Sequence, residues 1–444
     1  MTAAYLVTAQ VAGLGLVVWL RPRVAAAFRA PRSFLSNLLG LCLLGAAAVL
    51  SSVLPVFRFP NPTGRYRVGT TSLRMVDESR TEPNSTNPRE HRELMVQIWY
   101  PAGDPPPGLQ PERYLANLDG PNARELIRRE FGPLFGQLNR VRSHSYGNLS
   151  VSPNGGPFPI VIFSPSWGGS RNQDTALVED LASHGFVVAG IDHTHGAGIT
   201  VFPDGRVVFS NPDLTMDTST AAGVQRFLRQ TDEQGDIRAR DASFVLDELG
   251  RMNAGGWPGL LSGHLDLARA GILGYSFGGV VALRACQRDP RFKAGINLDG
   301  LLYRESDRAR LNQPFMIFNS DDSPPSAAEM ARSPAQKMSG DGFRIQDDFL
   351  KLNGGYNLTV QGANHPNFCD SPLFSPLRRL TGGGSINPRR CFRIVSEYTR
   401  AFFEKHLEGR PTPLLDGQSP EFLDVKVEIF HRGLSTAEHP AGPR

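Results

Sequence analysis

The chain has 444 residues, 40% of them apolar and 20% charged, which gives enough length for a sizeable core and excludes a disordered or wholly membrane-embedded protein. Its formal charge of +4 is small for this length, and no Lys/Arg cluster interleaves with aromatics, so nothing points to a nucleic-acid partner. The four cysteines include no C-x-x-C pair, so a disulfide scaffold, a structural zinc site and a thioredoxin-type motif have no support.

The first 57 residues differ from the rest. No charged side chain occurs between Met1 and Arg21 or between Arg32 and Arg58, which leaves two uncharged stretches of bilayer-spanning length. Between them lie Arg21, Arg23, Arg29 and Arg32 with no acidic residue, a loop of the kind retained on the cytoplasmic side. The expectation is a two-helix membrane hairpin over 1–57 with the large domain outside the cytoplasm. A cleaved signal ending near Ala46-Ala-Ala48 leads to the same compartment and a secreted protein.

The breaker-rich stretch 58–67 reads as a linker and 68–410 as one α/β domain, with 411–444 as a C-terminal tail. Val68 to Val76 and Leu94 to Tyr100 are predicted strands joined by a surface loop. The Pro/Gly/Asn-rich segment 101–157 reads as a cap or pocket wall, with one helix over Ala123 to Phe131. The rhythm then alternates. Strands are predicted at Phe158 to Phe163 and Phe186 to Ile191, around a helix from Asp174 to His184. A helix from Ile237 to Leu249 precedes a strand ending at Leu273. Further strands follow at Ala294 to Leu298, Phe315 to Phe318 and Tyr356 to Val360, and a closing helix at Ile394 to Leu407. Near-continuous apolar strands alternating with helices imply a mainly parallel sheet covered on both faces.

Gly274-Tyr-Ser-Phe-Gly-Gly279 stands where a strand ends and a helix begins, the context in which G-x-S-x-G forms a nucleophile elbow. Ser276 is then exposed on a strained turn with the positive end of a helix beneath it. A serine needs a base oriented by a carboxylate, and in α/β-hydrolases these follow in the order serine, acid, histidine. His365, beyond the strand Tyr356 to Val360, supplies the base. Asp299 and Asp321 each close a strand, and either loop reaches the histidine. The oxyanion hole is expected from the N–H of Phe277 and of Trp167, in the loop Ser164 to Gly169 after the first core strand; Pro165 has no N–H to give. His193 and His195 lack an evident third metal ligand and read as polar loop residues near the pocket mouth.

The segments Ile160 to Gly169, Asp180 to Phe186, Gly274 to Gly279, Asn297 to Gly300 and Asn364 to Phe368 carry a specific resemblance. The chain resembles the plasma and type II platelet-activating-factor acetylhydrolases, calcium-independent group VII phospholipases A2 with the α/β-hydrolase fold. The resemblance implies Ser276 as nucleophile, Asp299 rather than Asp321 as acid, His365 as base, and the backbones of Trp167 and Phe277 as oxyanion donors. No metal or organic cofactor is implied, and the substrate implied is a phospholipid bearing a short sn-2 acyl group. Pro165-Ser166 departs from the His-Gly that the family usually carries before the oxyanion donor. A broader carboxylesterase of the dienelactone-hydrolase kind, and an inactive membrane-tethered binding protein, are the competing readings. An exported domain would also leave Cys369 and Cys391 available to form a disulfide near His365.

Overall fold

Runs such as Phe158-Pro-Ile-Val-Ile-Phe163 and Phe186-Val-Val-Ala-Gly-Ile191 have no polar face, so their strands need cover on both sides, and the computed structural model supplies it. The structure describes residues 40, 42–45, 52–85, 87–118, 123–256, 259–304, 307 and 309–432. The chain divides into two units, Met1–Pro55 and Val56–Arg444, and the second carries the fold. Most of the expected membrane hairpin, including all of the first stretch, lies outside the described residues. Among the described residues, no helix is long and apolar enough to cross a membrane.

The strands in chain order are β1 (Arg67–Thr81), β2 (His91–Ala102), β3 (Ser145–Gly147), β4 (Phe158–Ser164), β5 (Val187–Asp192), β6 (Ile199–Val201), β7 (Val207–Phe209), β8 (Leu265–Tyr275), β9 (Phe292–Leu298), β10 (Phe315–Asn319), β11 (Gly355–Val360) and β12 (Val425–Phe430). All but the β6–β7 ribbon join one sheet in the order β12-β11-β10-β9-β8-β4-β5-β2-β1-β3. The six strands from β11 to β5 are mutually parallel, and β2 and β12 flank them antiparallel. Among the described residues from Val56 on, the α-helices are α1 (Ala123–Phe131), α2 (Thr175–Ser183), α3 (Ala221–Asn253), α4 (Phe277–Arg288), α5 (Ala327–Arg332), α6 (Pro334–Asn353), α7 (Arg378–Thr381) and α8 (Pro388–Glu408).

Side-chain alternation along each strand splits the core in two. Ile160 and Ile162 of β4 face one way with Ile191, Ile272, Val245 and Leu249 of α3, and Val280 of α4. Val161 and Phe163 face the other way with Leu177 and Leu181 of α2 and Tyr398 and Phe402 of α8. Each fully buried side chain of this size contributes roughly 1.5–3 kcal/mol. A third cluster gathers Phe59, Tyr114, Ile127, Leu138 and Phe374 under the segment expected as a cap, whose remaining part adds β3 to the sheet edge parallel to β1.

Three boundaries differ from the sequence expectation. Residues 58–67 are not a free linker: Phe59 is buried, and Thr63 donates its N–H and hydroxyl to Asp180 Oδ1 at 2.8 and 2.9 Å. The expected tail contributes β12, because Val425 has buried apolar neighbours and β11 has a backbone edge to satisfy. The loop expected from Asp77 to Glu93 is shorter, since the β1–β2 pairing continues to Thr81 and His91.

Cys369 and Cys391, available on the sequence to form a disulfide, are both free. Each thiol has its own partner. Cys369 Sγ lies 3.3 Å from both Pro366 O and Ser371 Oγ, and Cys391 Sγ lies 3.6 Å from Asn367 O. Burial pushes both thiols up to about 12, which makes them poor nucleophiles.

Candidate active site

The loops at the C-terminal ends of β4, β8, β9 and β11 converge, as they do above parallel sheets generally. Ser276 lies between β8 and α4 with φ 56° and ψ −120°, a conformation an L-residue adopts only under constraint. Two glycines permit the turn. A Cβ on Gly274 would sit 1.9 Å from Gly278 O, and one on Gly278 would sit 1.9 Å from Ser164 O. The helix that starts at Phe277 leaves its first N–H groups without helical acceptors, directly beside the serine.

His365 Nε2 lies 2.9 Å from Ser276 Oγ, and His365 Nδ1 lies 2.6 Å from Asp299 Oδ2. With Nδ1–H donating to the carboxylate, Nε2 is left to accept the serine hydroxyl. Asp299, also at positive φ (57°), ends β9 and is fixed by the Ser320 N–H, 2.6 Å from its Oδ1. The Asp299 side chain is nearly buried whereas that of His365 is 46% exposed, so the base faces a space that substrate can enter. Asp321 is not on the imidazole. Its Oδ2 accepts the Gly362 N–H at 2.8 Å, and its own N–H donates to Ala363 O, so it ties the end of β10 to the loop that carries His365.

That loop is braced elsewhere too. The Tyr275 ring stacks on the His365 imidazole at 5.0 Å and its hydroxyl donates to His365 O at 3.1 Å. Asp370 Oδ2 accepts the Thr175 N–H at 2.7 Å, which anchors the segment to the start of α2. Tyr275 was visible inside the elbow motif, but its role depends on a histidine far away in the chain.

The loop after β4, expected to supply an oxyanion donor, is a tight turn. Gly169 N–H donates to Ser166 O at 3.0 Å around Gly168, whose φ is 72°. Gln173 fixes Ser166 twice, accepting its N–H at 2.9 Å and donating to its hydroxyl at 2.8 Å. The Trp167 ring meets the Phe277 ring edge-on at 5.0 Å, so the two expected oxyanion donors belong to residues in contact. Pro165-Ser166 is therefore compatible with a rigid loop here.

His193 lies elsewhere than its sequence suggests. Expected as a polar loop residue near the mouth, it is buried, with Nδ1 2.8 Å from Asp241 Oδ2 and Nε2 3.1 Å from Ser164 Oγ. Asp241 also receives Arg92 through Nε and Nη2 at 3.2 and 2.7 Å. Through Ser164 these residues meet the end of β4, where the loop carrying Trp167 begins. The sequence signal for them was present: the buried stripe of α3 runs through Phe227, Thr231, Gln234, Arg238, Asp241 and Val245, and polar residues at core positions of a helix need partners.

Burial pushes His193 down to about 4 from its ordinary 6.5, outweighing the pull of Asp241. The unfolded chain therefore binds this proton near pH 6.5 and the folded chain only near 4. The stability from a neutral His193 is present above pH 6.5 and is lost as pH falls toward 4. His193→Gln is expected to flatten the stability profile relative to the native chain by on the order of 2 kcal/mol between pH 7 and pH 5. Urea denaturation at the two pH values checks this, and equal slopes for both proteins would contradict it.

A family model described as platelet-activating factor acetylhydrolase, isoform II, matches residues 55–412. A probable 1-alkyl-2-acetylglycerophosphocholine esterase of Arthroderma benhamiae is 25% identical, covering 87% of this chain and 97% of the relative. The platelet-activating factor acetylhydrolase of Bos taurus is 24% identical, covering 79% and 77%. Among solved structures, a ferulic acid esterase from Streptomyces cinnamoneus is 30% identical with a TM-score of 0.63, covering 84% of this chain and 99% of that one. The match spans Ser276, Asp299 and His365 alike, and the chain belongs to the isoform II family of platelet-activating factor acetylhydrolases.

Proposed function

We propose that this serine esterase removes a short acyl group, the sn-2 acetyl or an oxidised short chain, from a phospholipid such as platelet-activating factor. Ser276 Oγ attacks the ester carbonyl and its proton passes to His365 Nε2. Asp299 orients the imidazole and stabilises the imidazolium. The N–H groups of Trp167 and Phe277 receive the oxyanion, and the α4 dipole adds to them. The leaving alcohol takes the proton from His365. Water, deprotonated by the same histidine, then releases the acid from Ser276. The steps require only these side chains, two backbone donors and water.

The observation that carries the reading is the unbroken Ser276–His365–Asp299 series, at 2.9 and 2.6 Å, on a strained elbow. The phospholipid substrate is supported by the family and by what the relatives' names say they act on. The likeness to a ferulic acid esterase favours a second reading, a carboxylesterase acting on soluble esters. The two separate in one assay. Platelet-activating factor, a long-chain phosphatidylcholine, p-nitrophenyl esters of increasing chain length and methyl ferulate are compared by kcat/KM. The phospholipid reading expects the acetyl phospholipid and the shortest p-nitrophenyl ester to lead, with steep loss as the acyl chain lengthens. Preference for methyl ferulate would favour the second reading.

A further inference from the structure

Arg238 lies in the middle of α3, 1% exposed, and among the described residues it makes no ion pair. The nearby carboxylate of Asp241 is occupied by Arg92, Arg80 and His193. Burying a guanidinium without a carboxylate is costly, and burial pulls its pKa down. Its fork is spent on two carbonyl oxygens from different loops: Nη1 donates to Ser166 O at 3.0 Å and Nη2 to Gly196 O at 3.0 Å. The same cation lies 5.8 Å from the Trp167 ring centroid and 5.0 Å from that of Phe277. Space is reserved for it, since a Cβ on Gly196 would come within 2.7 Å of Nη2.

The acceptor is what gives this arrangement meaning. Ser166 C=O and Trp167 N–H are the two ends of one planar trans peptide, so fixing the carbonyl fixes the direction of the N–H. A charge-assisted bond to that carbonyl also polarises the amide and strengthens its N–H as a donor. The second fork arm holds the neighbouring loop, whose Gly198 N–H donates to Gly168 O at 2.8 Å. We propose that Arg238 is a positioning residue of the oxyanion hole, acting through the Ser166–Trp167 peptide. The proposal rests on the reading of Ser276 and Trp167 given above. Lysine is not equivalent here, because a point charge cannot span both carbonyls as the planar fork does.

The test compares Arg238→Met, Arg238→Lys and Gly196→Ala, the last of which crowds the guanidinium while keeping it. Turnover of p-nitrophenyl acetate is measured per active site, counted by complete reaction with a fluorophosphonate. Arg238→Met is expected to lower kcat per site on the order of 100-fold, the scale of a lost oxyanion donor, with KM within about threefold. Arg238→Lys should recover part of that loss, and Gly196→Ala should move kcat in the same direction as Arg238→Met. Should Arg238→Met fail to fold, the lysine and Gly196 variants still report kcat per site. Effects confined to KM, to melting temperature or to the titratable fraction, with kcat per site unchanged, would overturn the proposal. Full activity in Ser276→Ala would instead overturn the catalytic reading beneath it.

Discussion

Ser276→Ala is expected to lower kcat for every ester substrate on the order of 10⁶-fold while leaving the melting temperature essentially unchanged. The effect is large because the hydroxyl is the only atom lost and the proposed mechanism has no second nucleophile. The fold should tolerate the change. Alanine keeps the Cβ that Ser276 already carries at φ 56°, so no new backbone strain enters, and the elbow glycines that set the turn are untouched. The lost hydrogen bond to His365 Nε2 leaves an imidazole that is 46% exposed and can turn to water. Any residual rate should still exceed that of water, through the two backbone donors. Steady-state kinetics with a matched thermal melt checks both halves of this expectation.

Asp299→Asn is expected to cost on the order of 10⁴ in kcat, the scale on which triads lose the orienting carboxylate. An amide at this position presents a donor where His365 Nδ1–H needs an acceptor, and it brings no charge to stabilise the imidazolium. Its carbonyl can still receive the Ser320 N–H, so the end of β9 should keep its shape. Asp321→Asn is the control. Asp321 is exposed, and among the described residues its side chain accepts the Gly362 N–H alone, a role that an amide oxygen fills, so the change should stay within about tenfold. A reversal of the two outcomes would move the acid to β10. The sequence order alone left both carboxylates available, since each ends a strand that precedes the histidine.

What was legible in the chain followed from local pattern. The strands β4, β5 and β10 and the C-terminal halves of β8 and β9 are buried on both faces, so their runs stand out without a partner in view. The elbow is legible because Gly274 and Gly278 are dictated by contacts within the turn or with the adjacent strand. β12 was missed because its alternating pattern, Val425-Lys-Val-Glu-Ile-Phe430, is that of a half-exposed edge whose only warrant is β11 beside it. α6 was missed for a similar reason: it buries Ile345, Phe349 and Leu350, but its first half is polar and begins with a proline. The support beneath the site was the least legible part. Arg238, Asp241 and His193 act through partners far along the chain, and a charged residue in a helix reads as solvent-facing until the stripe it belongs to is traced.

In the proposed mechanism Ser276 is the nucleophile of a single acyl-transfer site. The most direct test is peptide mapping after the purified protein has reacted to completion with a fluorophosphonate. One adduct per chain is expected, on the peptide that carries Gly274-Tyr-Ser-Phe-Gly-Gly279, with ester turnover falling in proportion to labelling and no adduct forming in Ser276→Ala. An adduct on any other residue, or full turnover by a protein quantitatively labelled at Ser276, would contradict the account.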